Sequence, residues 1–92
     1  MYKITARQLK NANALNVLIK PSKNKIKKID VFNLQGVKIA SIGAAGYKDY
    51  DIYLATEGLT YANERRRLYK IRHNNDRNKK GTAGYFADKI LW

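Results

Sequence analysis

The chain contains no cysteine, so it has neither disulfide bonds nor thiolate metal ligands. It has a single histidine, and one histidine without cysteine forms a zinc site only when several carboxylates join it. A lack of thiols is typical of a protein from a reducing compartment, or of a subunit that its neighbours stabilise. We therefore expect no metal ion and no other cofactor in this protein.

Acidic residues are scarce as well: seven of them face nineteen lysines and arginines, and the formal net charge is +12. Self-repulsion of such a charge disfavours the compact state unless counterions or a partner neutralise it. The balance favours nucleic acid as the partner, ahead of an acidic protein or a membrane surface. A charge that only keeps the protein soluble is the alternative, but the basic residues are too unevenly spread to favour it.

Long apolar runs are also missing. No stretch approaches the ~18 residues that cross a bilayer, and the first residues, MYKITARQLK, lack the apolar core of an export signal. A length of 92 residues with 45% hydrophobic residues predicts one small folded domain, residues 1–92, with a modest core. We expect no membrane span, and a place in the cytoplasm, the nucleus or a particle.

The first half of the chain predicts a helix, a short strand and a hairpin. The helix runs from about Thr5 to Ala14, with Leu9 as its main buried side chain. An apolar segment from Leu15 to Ile19 predicts a strand that Pro21 stops. Two alternating segments flank Gln35-Gly36, which predicts a β-hairpin because glycine supplies the positive φ of a tight turn. We expect one face of this hairpin to carry Ile29, Val31, Val37 and Ile39.

The second half predicts two helices after an ambiguous aromatic segment. Residues Tyr47 to Leu54 fit a third short strand or an irregular segment packed on the sheet. A helix capped by Thr60 continues to His73, and Thr82 caps a last helix with a single apolar face. That face consists of Ala83, Phe86, Ala87, Ile90 and Leu91. We expect an α+β fold: a small antiparallel sheet, centred on the hairpin, with two C-terminal helices packed against it and Leu68 facing the last helix.

Arginines crowd the helix that begins at Thr60. Arg66 and Lys70 lie one turn apart on one face, and Arg65 and Arg72 share another face more loosely. The planar fork of arginine suits phosphate, and few acids are near enough to form ordinary salt bridges. We expect this surface to bind a polyanion or an acidic partner, with a solvated helix face as the alternative. Its basic residues, with those of the loop that follows, are Arg65, Arg66, Arg67, Lys70, Arg72, Arg77, Lys79 and Lys80.

A second basic cluster precedes the hairpin and contains no acid. Lysines on an edge strand often only prevent strands of different molecules from pairing. That explanation is at least as good here as contact with the phosphates of a nucleic acid. The candidate binding residues of this cluster are Lys23, Lys25, Lys27 and Lys28.

Two further motifs have a structural and a functional interpretation. Tyr47, Tyr50 and Tyr53 suit the stacking of single-stranded bases, but tyrosine is equally at home in small cores and protein interfaces, which we favour. The segment Gly43–Gly46 follows a strand as a phosphate-binding loop does. No Lys-Ser/Thr pair follows it, so we expect a simple bend.

No catalytic group stands out. A metal-dependent nuclease would require Asp49, Glu64 and His73 to converge on one ion. We expect these side chains to lie apart, with Glu64 bound to a neighbouring arginine and His73 at the end of its helix, where the helix dipole favours it. We therefore expect no enzymatic activity and no small-molecule substrate.

Several pieces of the second half occur in a recognisable order. They are Ile42-Gly43, Asp49-Tyr50, Glu64-Arg65-Arg66, Tyr69-Lys70-Ile71-Arg72-His73, Thr82-Ala83-Gly84-Tyr85-Phe86 and Ile90-Leu91-Trp92. In this the chain resembles a family of short, basic, uncharacterised proteins encoded by large double-stranded DNA viruses of algae and protists, and by related aquatic viruses. The chain departs from the family in its longer segment Tyr53–Tyr61 and in lacking the tryptophans usual in the last loop and final helix.

The resemblance implies a viral origin and no particular activity, because the family has no settled function. We expect a non-enzymatic structural protein of a virion, of the minor capsid or cement type, found in the virion and, during assembly, in the host cytoplasm or nucleus. Its partners would be other virion proteins and nucleic acid touched by the basic face. The alternative is a free DNA-binding or packaging protein without sequence specificity, and a metal-dependent nuclease ranks third.

Overall fold

The protein has an α+β architecture, as the sequence predicts. A computed structural model describes residues 1–92, with three strands in one antiparallel sheet of order β1-β2-β3. None of the helices has the length and apolarity needed to cross a bilayer. The elements are α1 (Ala6–Ala14), β1 (Leu18–Pro21), β2 (Lys27–Phe32), β3 (Lys38–Ala44), α2 (Tyr50–Glu57), α3 (Leu59–Arg72) and α4 (Ala83–Phe86), which continues as a π-helical turn (Ala87–Leu91).

Helix α1 begins as predicted but buries a different face. Thr5 caps it, and the Thr5 and Gln8 side chains each bind the other residue's backbone N–H in a capping box. Gln8 and Ala12, one turn apart, are buried, whereas Leu9 is 53% exposed. The prediction that Leu9 is the main buried side chain is therefore wrong, because α1 packs through a small and partly polar face.

The first strand starts three residues later than predicted. Leu15 is the C-terminal cap residue of α1, and Asn16 has a positive φ of 57°. Asparagine tolerates this left-handed conformation better than most residues, so the chain turns there and enters β1 only at Leu18. The predicted strand from Leu15 is thus helix end and turn.

The hairpin of β2 and β3 is confirmed, but the face that β3 turns to the core is not the predicted one. Val31 pairs with Ala40, and Phe32 pairs with Lys38, so one extra residue of β3 bulges between them. A single extra residue reverses which side chains face inward. Val37 and Ile39 are consequently exposed, by 58% and 42%. Their predicted place in the core is taken by Ile42.

The aromatic segment after β3 forms a helix rather than a strand. Asp49 caps α2 by accepting a hydrogen bond from the Ile52 N–H at 3.1 Å. The capping carboxylate therefore outweighs the strand preference of the tyrosines that follow. Helix α3 starts at Leu59, directly after Gly58 with φ of 92°, so the predicted cap at Thr60 is also wrong.

The last helix covers the sheet as predicted. Thr82 caps it, and Phe86, Ile90 and Leu91 are buried. Helix α3 packs mainly against α2 instead of the sheet, and Leu68 remains 39% exposed rather than facing the last helix. The core cluster comprises Ala12, Val17, Ile19, Ile29, Val31, Ile42, Phe86, Ile90 and Leu91.

Arg7 ties three parts of the fold together. Its Nε lies 2.6 Å from Asp51 in α2, and another guanidinium nitrogen donates to the Leu91 carbonyl oxygen at 2.9 Å. The guanidinium also lies 4.8 Å from the Tyr50 ring centroid. These contacts fix α2 against α1 and the last helix, and so set the position of α3, which packs on α2.

Candidate nucleic-acid interface

The lysine-rich loop between β1 and β2 is held by polar contacts beneath it. Ser22 donates a hydrogen bond to buried Asp30 at 2.7 Å and accepts one from the Asn24 N–H at 3.1 Å. Burial raises the pKa of Asp30, but hydrogen bonds from the Ser41 and Ser22 hydroxyls outweigh it and lower the pKa below its usual range. The loop is therefore anchored by an ionised carboxylate while its lysines remain outside.

Three of the predicted lysines have no acidic partner. Lys23 and Lys25 are exposed, Lys27 is half-buried, and none of them forms an ion pair. They line a cavity of about 710 Å³ together with Lys48, the first two residues of the chain and the loop between β3 and α2, and no acidic residue is among its walls. We call this the lysine cavity.

Lys28, the fourth predicted lysine, is a structural residue. It is only 5% exposed, and its Nζ lies 2.9 Å from Asp49, which also accepts a hydrogen bond from the Tyr2 hydroxyl. Burial, followed by the Asp49 contact, raises the pKa of Tyr2 well above its usual range, so its phenol stays neutral. Lys28 thus shapes the floor of the cavity, but its charge is already neutralised.

A second cavity, of about 560 Å³, adjoins the first. Arg65 and Arg72 from α3 line it, and so do four aromatic rings and His73. We call it the aromatic cavity. The two cavities share Lys28, Tyr47 and Lys48 as lining residues. The fold therefore joins the lysine loop and one face of the arginine-rich helix, which are far apart in the sequence, into one basic surface.

Tyr69 and Trp92 form a stack in the aromatic cavity. Trp92 lies parallel to Tyr69, with centroids 4.5 Å apart and planes at 11°, and Tyr53 lies 6.2 Å away from Trp92. The His73 ring lies 4.3 Å from Tyr69, with the two planes tilted at 32°. Burial, with smaller contributions from Asp88 and Asp76, raises the pKa of Tyr69 to about 12. The stack presents neutral ring faces beside the guanidinium groups.

Only part of the arginine-rich helix faces this surface. Arg65, Tyr69 and Arg72 recur at i, i+4 and i+7, which places them on one helical face, and all three line the aromatic cavity. Arg66 instead lies over the Tyr50 ring at 4.0 Å, and Arg67 binds Glu64 at 2.5 Å. The Glu64 contact lowers the pKa of Glu64 and raises that of Arg67. Arg66 and Arg67 are therefore engaged elsewhere.

Two more of the predicted residues are drawn to a buried carboxylate that the sequence did not single out. The side chain of Asp88 is inaccessible to solvent, and Lys70, Lys89 and Arg77 lie 2.8, 3.2 and 3.8 Å from it. Burial raises the pKa of Asp88, but hydrogen bonds from Lys70 and Lys89 more than compensate and lower it. Lys70 and Arg77 thus share one buried carboxylate with Lys89, and neither of them lines the lysine or the aromatic cavity. Lys79 and Lys80 are exposed in the turns after α3 and line neither cavity.

The residues of the hypothetical nuclease site lie in different surroundings. Asp49 caps α2 and binds Lys28, Glu64 pairs with Arg67 on the exposed side of α3, and His73 lies 3.5 Å from Asp76. No group of three or more histidine and carboxylate side chains is arranged to hold a metal ion. The carboxylates of this site act as caps and ion-pair partners.

No family model, curated protein or solved structure matches this chain. The resemblance to proteins of large DNA viruses therefore remains a prediction from the sequence. The observations on which a function can rest are the two cavities, their charge and their rings.

Proposed function

We propose that this protein binds nucleic acid through the surface formed by the lysine and aromatic cavities, as a non-enzymatic structural component of a virion. The observation that carries the proposal is the union of two basic clusters on one concave surface. Lys23, Lys25 and Lys27 on one side and Arg65 and Arg72 on the other have no acidic partner in an ion pair. The only carboxylate in the walls, Asp49, is neutralised by Lys28.

Such a surface attracts phosphates for physical reasons that do not depend on sequence. A basic protein gains affinity when its lysines and arginines release the counterions condensed on a nucleic acid. Arginine adds bidentate hydrogen bonds to phosphate oxygens. Because the walls offer mainly cations and ring faces, they recognise phosphates and any base alike, and we expect binding without sequence specificity.

The virion setting is supported by the sequence resemblance to proteins of large DNA viruses. A minor capsid or cement subunit with this surface would contact other virion proteins and the packaged genome. A free DNA-binding accessory protein would use the same surface, so the two roles differ in whether the protein stays with the particle. Mass spectrometry of purified, nuclease-treated particles should detect the protein at a reproducible copy number. Detection only in the unassembled fraction would favour the accessory protein.

The proposal that the protein is not an enzyme is supported by the ion pairs of its carboxylates, which are bound to lysine and arginine side chains. Asp49, Glu64 and Asp88 each bind a cation, and none is paired with a second carboxylate. A plasmid-nicking assay with magnesium or manganese, run beside the Glu64→Gln variant, should show no nicking by either protein. Metal-dependent nicking that disappears in the variant would make this protein a nuclease.

The binding surface itself is tested by a pair of charge-matched variants. One replaces Lys23, Lys25 and Lys27 with glutamine. The other replaces three exposed lysines outside both cavities: Lys10, Lys20 and Lys38. Affinity for random-sequence DNA is measured by fluorescence anisotropy over a range of salt concentrations.

If each of the three cavity lysines neutralises one phosphate, their loss should flatten the dependence of log affinity on log salt by about 2 for a single strand and by about 2.7 for a duplex. The outer triple variant should change that slope much less, although its net charge is the same. Equal losses in both variants would show that only the net charge matters. No binding by the unaltered protein at low salt would remove nucleic acid as the ligand.

A further inference from the structure

Tyr47 stands out among the rings of the binding surface. It is 74% exposed, and it is part of the wall of both cavities. It follows Gly46, whose φ of 87° belongs to a tight turn that only glycine adopts readily. The turn places a large aromatic side chain in solvent between two groups of cations, and Tyr47 makes no contact with another ring.

The other rings at the site are already occupied. Trp92 and Tyr69 stack on each other, and His73 lies against Tyr69. The Tyr53 ring has Arg65 at 5.4 Å and Lys48 at 5.7 Å from its centroid. Tyr47 is therefore the ring of this surface that neither another ring nor a cation already covers.

From this arrangement we infer that the ligand is single-stranded nucleic acid, with its backbone passing from the lysine cavity to the aromatic cavity and one base stacked on Tyr47. The inference rests on the proposed function and adds the class of nucleic acid. Proteins that bind single strands without sequence preference combine a basic groove with aromatic side chains on which successive bases stack. Lys23 to Lys27 supply cations before Tyr47 along this path, and Arg65 and Arg72 supply them after it.

A duplex suits this surface less well. Its bases are stacked on one another inside the double helix, so a ring such as Tyr47 has no free base to meet. Cavities of about 710 and 560 Å³ have the size of pockets that enclose a small molecule, and they fit unpaired nucleotides rather than a rigid duplex. The phosphates of a duplex would contact only the exposed lysines at the edge of the lysine cavity, Lys23 and Lys25. They would contact Lys79 and Lys80, elsewhere on the molecule, in the same way.

The single tryptophan allows a direct test. Trp92 lies in the aromatic cavity, so a base that enters should change its fluorescence. The protein is titrated with short oligothymidine, oligouridine and a duplex of equal length at one fixed salt concentration. We expect at least one of the single strands to quench Trp92 and bind more tightly than the duplex, and the comparison of the two tells DNA from RNA.

Two variants of Tyr47 separate stacking from charge. Tyr47→Ala should weaken single-strand binding about tenfold, within the range that removal of one stacked base produces, and should leave duplex binding unchanged. Tyr47→Phe keeps the ring and should bind as the unaltered protein does. Because the side chain is exposed, neither variant should alter the melting temperature.

The outcomes distinguish this inference from the function on which it rests. Equal affinity for duplex and single strands, or single-strand binding that Tyr47→Ala leaves intact, would overturn the inference while nucleic-acid binding stood. Failure of both ligands to bind at low salt would overturn the proposed function as well.

Discussion

At the scale of single residues, buried carboxylates decide which cations remain free. Asp49 caps α2, neutralises Lys28 and accepts a hydrogen bond from the Tyr2 hydroxyl. Asp88 binds Lys70 and Arg77, which line neither the lysine cavity nor the aromatic cavity. In the sequence these two acids look like any others, because burial and ion pairing depend on residues distant in the chain. The set of free cations was therefore not predictable from the sequence.

The Asp88→Asn variant should be less stable than the unaltered protein at neutral pH, and its free energy of unfolding should change less as the pH falls. The pKa of Asp88 is lowered in the folded protein, so its stabilisation is complete above the unfolded-state pKa of about 3.9. That stabilisation is lost as the pH falls through the lower folded-state pKa. We expect a loss of about 1–3 kcal/mol near neutrality, since asparagine keeps one acceptor oxygen but removes the negative charge that the surrounding cations bind.

Urea unfolding of this variant at several pH values tests the prediction. The difference from the unaltered protein should shrink as the pH falls below about 4, and this comparison cancels the contribution of Asp30. As a control, Glu57→Gln removes an exposed ion pair with Lys48 and should have little effect. A difference that stays constant with pH would contradict the assignment of Asp88 as an ionised partner.

Gly43 is required by packing as well as by backbone conformation. Its φ is 77°, and a Cβ there would lie 2.9 Å from Leu91 Cδ1 and 3.0 Å from the Lys28 side chain. Gly36, with a similar φ of 84°, has nothing within 4 Å of the same position. Gly36→Ala should therefore show only the backbone cost of about 1–2 kcal/mol, and Gly43→Ala should cost clearly more. Equal losses on denaturant unfolding would show that the core adjusts freely around Gly43.

At the scale of secondary-structure elements, predictions succeeded where local signals agreed. The hairpin has alternation and a glycine turn, and the last helix has a cap at Thr82 and a clean apolar stripe. They failed where two local signals competed, as at Tyr47–Leu54, where the Asp49 cap prevailed over aromatic residues. The prediction of the inward face of β3 failed for another reason. A bulge opposite Val31 and Phe32 reverses which side chains of β3 face the core, and whether a bulge forms depends on the pairing of the whole sheet.

The packing of the last helix is tested by removal of its largest core side chain. Phe86 is 5% exposed, and replacement by alanine should cost about 3–5 kcal/mol, because it removes buried apolar area and leaves a cavity. Ile71→Ala is the control, since Ile71 is 61% exposed on α3 and should change stability by less than about 0.5 kcal/mol. A melting temperature unchanged by Phe86→Ala would show that this face serves a partner instead of the core.

At the scale of the whole molecule, the shortage of acids leaves an excess of positive charge, part of which the fold gathers along the two cavities. Each acidic residue except Asp30 already lies beside a basic side chain. The sequence predicts both basic clusters but not that they lie side by side in the fold. Their proximity depends on how α2 and α3 pack beside the lysine-rich loop between β1 and β2. Tyr69, Trp92 and Lys48 were missed as site residues for the same reason. The spacing of Arg65, Tyr69 and Arg72 was the one local signal that pointed to part of the surface.

The most direct test of this account maps the binding surface residue by residue. At 10.6 kDa the protein suits two-dimensional NMR, and short oligothymidine is added to the ¹⁵N-labelled chain. We predict that the largest shifts occur at backbone amides around Gly46, Tyr47, Arg72 and His73, while the hairpin turn near Gly36 stays unchanged. Shifts spread evenly over all exposed basic residues, or centred on Lys79 and Lys80, would contradict a binding surface formed by the two cavities.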